Sequence, residues 1–144
     1  MDYSKAFAIS AAGMSLERTR VEVAATNLAH ANTVQDPAAA GYRPMRVIAR
    51  ALATQPFGAI VDSSLAGLPA ASVTLEPQAV APRTAHEPGH PLADAQGFVS
   101  YPGVDPAAEM VTLMAAMRSY EANLAALNTA RLLALRTLDI GRGT

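Results

Sequence analysis

The sequence has 144 residues, enough for one domain or for one long helical hairpin with an insert. It contains no Cys, which excludes disulfides, thiolate zinc sites and cysteine nucleophiles, and its formal net charge of −1 offers no basic excess for nucleic acid or an anionic membrane. Hydrophobic residues reach 51%, but 32 of them are Ala and aromatics make up 5%, so the composition favours helices that approach closely over a core of large side chains.

The first 36 residues are free of Pro and predict a helix from about Tyr3 to Ala31, ended by Asn32-Thr33 and Asp36-Pro37. Ala6 to Leu16 has the apolar character of a secretory h-region. Asp2 precedes it, however, and the helical pattern runs on past any cleavage point, so no cleaved signal peptide is expected. Phe7, Met14, Val21 and Leu28 recur every seven residues, and Ile9, Leu16 and Val23 form a second row with the same period. At about 100° per residue the rows stand roughly 160° apart, so a single partner helix covers only one of them. Ala8, Ala11, Ala12, Ala24 and Ala25 fill the flanks and permit close approach.

All ten Pro lie between Pro37 and Pro106, which sets off residues 35–105 as an extended, partly β insert. Met45, Val47, Ala49 and Ala51 alternate with Arg46, Ile48, Arg50 and Leu52 in the manner of a strand. Ser72–Glu76 and Gly97–Tyr101 are further short strand candidates. Turns are expected at Pro56-Phe57-Gly58, Gly67-Leu68-Pro69 and Pro88-Gly89, with a flexible loop over residues 54–72.

The second helix starts at Asp105 as N-cap with Pro106 in the first helical position, and should run to about Asp139, stopped near Gly141. Met110, Leu113, Met117, Tyr120, Leu124, Leu127 and Leu138 follow the three-four spacing of a coiled-coil seam. Arg131 falls inside that seam, while Leu132, Leu133 and Leu135 broaden the apolar surface. The expected fold is therefore mainly α: residues 1–34 and 106–144 form long helices paired as an antiparallel coiled coil, with 35–105 inserted between them. The surplus apolar residues are either exposed singly, as proteins tolerate, or covered by other copies and partners.

Motifs that promise chemistry fail on inspection. His86-Glu87-Pro88-Gly89-His90 matches the HExxH letters of a zinc protease, but that motif works only on a helix, which Pro88, Gly89 and Pro91 forbid. There is no glycine-rich phosphate loop and no GxSxG elbow. Asn27 and Asn32 stand near a helix end, where amides cap or turn the chain. No catalytic, metal or cofactor site is expected. By elimination, the functional surface is the helices themselves. The competing reading is a soluble antiparallel helical adaptor or secretion chaperone.

Ser10-Ala11-Ala12-Gly13-Met14, with Arg18 and Arg20, and then Ala25-Thr26-Asn27-Leu28-Ala29-His30-Ala31-Asn32-Thr33 resemble the N-terminal signature of bacterial flagellar rod and hook proteins. The turn Pro88-Gly89-His90-Pro91, followed by Ala93-Asp94, Gly97-Phe98-Val99 and Pro102-Gly103-Val104, is similar to the proximal-rod type within that family. Glu109-Met110-Val111, Arg118-Ser119-Tyr120-Glu121-Ala122-Asn123, Asn128-Thr129-Ala130 and Thr137-Leu138-Asp139-Ile140-Gly141-Arg142 resemble its C-terminal signature. His30 departs from the Asn common in the family, and His86-Glu87 stands where Tyr-Asp is usual. The resemblance implies a structural subunit of the torque-transmitting rod, exported by the flagellar type III apparatus without signal-peptide cleavage and assembled helically in the periplasm. The implied partners are other copies of itself, other rod subunits and the rod–membrane-ring junction protein.

Overall fold

The computed structural model describes residues 3–36, 41–50 and 72–143. The expected loop over 54–72 and the turns at Pro56-Phe57-Gly58 and Gly67-Leu68-Pro69 lie outside the described residues, apart from Ser72. Helix α1 spans Tyr3–His30 and helix α2 spans Pro106–Arg142. Between them come strands β1 (Met45–Arg50), β2 (Ser72–Pro77), β3 (Arg83–His86) and β4 (Phe98–Tyr101). The architecture is the one expected: two long helices and a small β insert. At about 1.5 Å per residue, the 28 residues of α1 reach about 42 Å and the 37 of α2 about 55 Å.

Helix α2 begins as its sequence dictates. Asp105 Oδ1 accepts from the Ala107 N–H at 2.9 Å and the Ala108 N–H at 3.4 Å, satisfying donors that the first turn leaves free. Its far end runs further than expected, through Gly141 to Arg142. The reason is conformational: among the described residues only Gly97 takes a positive φ, so Gly141 does not adopt the left-handed cap that stops a helix.

The strands form two two-stranded sheets, β1 with β2 and β3 with β4. β3 is antiparallel to β4, with Arg83 opposite Tyr101 and His86 opposite Phe98. Its sequence, Arg-Thr-Ala-His, lacks the apolar alternation that announces a strand; cross-strand pairs hold it instead. The Arg83 guanidinium lies 5.0 Å from the Tyr101 ring centre, and the His86 and Phe98 rings meet edge-on at 5.0 Å.

The chain forms two compact units. One comprises Met1–Arg18, Ala49–Thr74 and Met117–Thr144; the other comprises Thr19–Ile48 and Leu75–Ala116. Among the described residues the second holds all of the buried apolar ones: Ala24, Ala31, Val99 and Ala116, with Pro44 and Pro102 also buried. Gly103 lies tight against the segment before β3, because a Cβ there would strike the Ala81 carbonyl and, at 2.7 Å, Val80 Cγ1. In the first unit the close approach is at Gly13, where an added Cβ would lie 2.8 Å from Asn123 Oδ1. Asn123 is not free to swing away at no cost, since its Nδ2 donates to the Ser119 carbonyl at 2.9 Å.

Gly13 thus trades helix propensity for contact. Gly13→Ala gains about 1 kcal/mol of propensity but must displace Asn123. Thermal unfolding should show Gly13→Ala destabilising in the native background and stabilising by about 1 kcal/mol in an Asn123→Ala background. Equal effects in both backgrounds would show that the contact carries no weight.

Candidate functional site

The expected site is a set of helix faces, and burial along each helix shows where they lie. On α1 the residues most withdrawn from water are Ser10, Glu17, Ala24, Asn27 and Ala31, with Gly13 and Arg20 half-buried between them. That line advances by alternating threes and fours, the coiled-coil repeat, yet it consists of small and polar residues. The expected rows flank it. Phe7, Met14, Val21 and Leu28 are half-buried throughout, as are Leu16 and Val23, whereas Ile9 is 58% exposed. On α2 the covered line is Glu109, Leu113, Ala116, Asn123, Leu127, Ala130 and Ala134. It shares Leu113 and Leu127 with the expected seam. Met110, Met117, Tyr120, Leu124 and Leu138 stand exposed, as do Val111, Met114, Leu132, Leu133, Leu135 and Ile140. Apart from Leu113 and Leu127, the large apolar side chains of α2 therefore lie off its covered line.

Asn27 is a densely connected polar side chain of the second unit. It is 1% exposed, and its amide satisfies all four of its hydrogen-bonding positions. Nδ2 donates to the Met45 carbonyl at 2.9 Å and to Glu109 Oε1 at 3.0 Å. Oδ1 accepts from the Met45 N–H at 2.9 Å and from the Tyr42 hydroxyl at 2.7 Å. The partners fix the orientation of the amide: a peptide N–H and a hydroxyl require the oxygen, a carbonyl and a carboxylate the nitrogen. Asn27 thereby pairs with both backbone groups of Met45 as a neighbouring strand would, and sets where β1 begins.

Around this hub the chain is tightly tied. His30 stacks on Tyr42 with ring centres 4.3 Å apart. Gln35 donates from Nε2 to the Tyr42 carbonyl at 2.8 Å, and its backbone N–H donates to the Ser100 carbonyl at 2.8 Å. The Gln35 side chain also occupies the space a Cβ on Gly41 would need. Burial, and secondarily the Glu109 carboxylate, push the Tyr42 phenol above its ordinary value. A groove of about 520 Å³ opens nearby, between Tyr42–Pro44, Pro77–Pro82 and Pro102-Gly103.

The segment joining β3 to β4 is a built turn. Asp94 Oδ1 accepts from the Gln96 N–H at 2.9 Å and the Phe98 N–H at 2.8 Å, and Gly97 takes φ +80° to let the chain reverse. His90 is half-buried and its Nδ1 accepts from the Leu92 N–H at 3.1 Å; Pro88, Gly89 and Pro91 are exposed on the turn's surface. Neither His86, on β3, nor His90 lies on a helix, and no metal-binding group of three His, Asp or Glu forms among the described residues. Tyr101 donates to Glu87 Oε1 at 2.9 Å, the largest cause holding its phenol above the ordinary value. Asn32, the other amide expected to matter, lies exposed in the turn after α1.

A family model described as flagellar basal body rod FlgEFG protein C-terminal matches residues 95–140. The chain is 39% identical over 136 residues to the flagellar basal-body rod protein FlgC of Salmonella typhimurium strain LT2, covering 94% of this chain and 96% of that one. It is 38% identical over 136 residues to the same-named protein of Escherichia coli O157:H7, with the same coverage. Against that of Bacillus subtilis strain 168 it is 29% identical over 143 residues, covering 93% and 95%. Two long helices, a small β insert and likeness over nearly the whole length define a flagellar rod protein, a structural protein and not an enzyme. The chain belongs to the FlgC family, and it is a structural subunit of the flagellar basal-body rod. This sets aside the adaptor and chaperone reading.

Two outcomes are expected of the hub. Asn27→Ala leaves both backbone groups of Met45 without their partner and should cost about 2–3 kcal/mol in denaturant unfolding. Asn27→Asp should cost at least as much at neutral pH, because it replaces both donors by acceptors facing a carbonyl and the Glu109 carboxylate. A loss under about 0.5 kcal/mol for Asn27→Ala would remove the hub from the account.

The Tyr42 shift gives a pH dependence with a definite sign. A raised phenol binds its proton more tightly in the fold than in the unfolded chain, so stability falls as pH rises past the ordinary value of 10.0 until the folded phenol ionises. Tyr42→Phe should flatten that alkaline decline and remove late-titrating amplitude from the tyrosinate absorbance. An unchanged titration would contradict it.

Proposed function

We propose that this subunit assembles helically in the proximal rod, where it helps form the torque-transmitting shaft and the wall of the central export channel. Its neighbours are other copies of itself, other rod subunits and the rod–membrane-ring junction protein. It reaches the periplasm through the flagellar type III export apparatus, without signal-peptide cleavage. Family membership supports this reading, and one observation carries it: the apolar residues that α2 leaves uncovered. No helix among the described residues is long and apolar enough to cross a membrane. Each large apolar side chain left in water forgoes about 1.5–3 kcal/mol, and a row of them is a substantial drive toward neighbouring chains. The cost of ordering and fixing the chains offsets part of it.

Within the subunit, α1 and α2 pair as an antiparallel coiled coil. Asn123 against Gly13 and Glu109 bonded to Asn27 support that sense: fourteen residues forward on α1, from 13 to 27, answer fourteen back on α2, from 123 to 109. The domain reading follows, with residues 1–34 and 106–144 as the helical part and 35–105 as the insert. The flanking rows of α1 and the exposed row Met110, Met117, Leu124 and Leu138 are the assembly faces, and the Pro88–Pro91 turn is a contact of the insert.

Leu138→Glu tests this where the subunit itself is least disturbed, since Leu138 is 63% exposed. Swimming in soft agar should be lost while the amount of soluble protein stays within about twofold of normal, as expected for a surface substitution. Normal swimming, together with variant subunits incorporated normally into isolated basal bodies, would show that this face is not an assembly face.

A further inference from the structure

Strand β3 has an open edge. The Glu87 N–H donates to the Gly97 carbonyl at 2.8 Å, so the hydrogen-bonded pairs of the antiparallel ladder are Glu87 with Gly97, Ala85 with Val99 and Arg83 with Tyr101. Thr84 and His86 then turn both backbone groups away from β4. Ser100, opposite Thr84, fixes the same phase from the other side: its carbonyl faces away from β3 and accepts the Gln35 N–H at 2.8 Å. No other segment among the described residues bonds to the outward groups of Thr84 and His86. Both residues are exposed, and β3, β4 and Gln35 all belong to one compact unit.

An edge of this kind accepts one more strand. Proline sets its length. The next positions of the outward phase are Pro82 and Pro88, which have no N–H to give, so the edge pairs in full only through Thr84 and His86. Arg83, Ala85 and Glu87 project to the face on which Val99 is buried. Tyr101 holds both charges there, with the Arg83 guanidinium over its ring and its hydroxyl donating to Glu87. An added antiparallel strand, the more stable sense per residue, sets one residue against each of the three. Charge and size then specify the segment: a base opposite Glu87, an apolar residue opposite Ala85 and an acid opposite Arg83.

Arg83-Thr84-Ala85-His86-Glu87 itself has that pattern, but two β3 strands paired antiparallel are related by a two-fold axis through Ala85. Subunits repeating along a helical shaft all point the same way and share no such axis. We propose that the outer edge of β3 receives an extended segment of a different protein of the assembly, five residues long, antiparallel, and of the pattern basic-x-apolar-x-acidic. The inference rests on the rod reading and adds to it the kind of contact and the chemistry of the partner segment.

Hydrogen exchange reads the contact directly. The Thr84 and His86 amides should exchange about tenfold or more slowly in isolated basal bodies than in the purified full chain. Thr84→Pro removes one outward N–H and leaves the ladder to β4 intact, so incorporation into basal bodies should fall about tenfold. Thr84→Ala keeps that N–H and should incorporate to within about twofold of normal. Arg83→Glu should also lower incorporation, and adding Glu87→Arg should not restore it, because the partner's charges are unchanged. Equal exchange in the two states, or Thr84→Pro chains that incorporate as well as Thr84→Ala chains, would overturn the proposal. So would recovery in the double reversal, which would make a second copy the occupant. Chains that reach the basal body with any of these results leave the rod reading standing, so the two fail separately.

Discussion

What the rest of the structure depends on is how little bulk α1 presents along its most buried line. Ser10, Gly13, Ala24 and Ala31 bring a helix backbone close to whatever packs on it, and Gly13 shows how close: even a methyl group has no room beside Asn123. Such a line buries little apolar area for its length, since the hydrophobic return scales with area at about 25 cal/mol per Å². It gains instead from dispersion contacts among tightly packed atoms and from satisfied polar groups. The larger consequence is displacement. Bulky residues lie on the flanks of the close line on α1 and, Leu113 and Leu127 apart, on open faces of α2.

This displacement explains what the sequence revealed and what it hid. The start of α2 and the end of α1 were legible because local chemistry writes them: Asp105-Pro106 opens α2, and the change from an alanine-rich run to Asn32-Thr33 closes α1, whereas α2 runs past the glycine expected to stop it. The seven-residue period was legible too. The phase of the covered face was not, because a periodicity reading weights large apolar residues, and here the covered positions are Ala116, Ala130 and Glu109, one residue from Met110, Met117 and Arg131. In an ordinary globular helix, bulk and burial coincide. Here they separate, and apolar spacing reports exposed faces as readily as the core.

The same limit applies to single residues. Asn27 reads locally as a helix-end amide, and nothing near it in sequence announces partners at Tyr42, Met45 and Glu109. Its completely used amide is a tertiary fact. β3 was likewise invisible, because Arg83–His86 becomes a strand by pairing with β4 and not through its own propensity. Gly97 and Asp94 sit within the Pro88–Val104 stretch that carried the family resemblance, and the structure supplies their physical meaning: a left-handed glycine and a carboxylate that together turn the hairpin.

Among the described residues the buried hydrophobics are Ala24, Ala31, Ala116 and Val99, so a single large aliphatic side chain is fully withdrawn from water. A core of that kind leaves little margin against the conformational entropy of ordering two long helices. Whatever binds the open faces binds the folded form and not the unfolded one, and so stabilises the subunit by mass action, as a ligand does. In the proposed assembly, folding and association draw on the same residues: the exposed Leu and Met side chains of α2 add little to the isolated chain and are covered only by its neighbours. A structural subunit built this way holds its shape most firmly where it is surrounded. On that proposal, a charge placed on an open face acts on association before it acts on the fold.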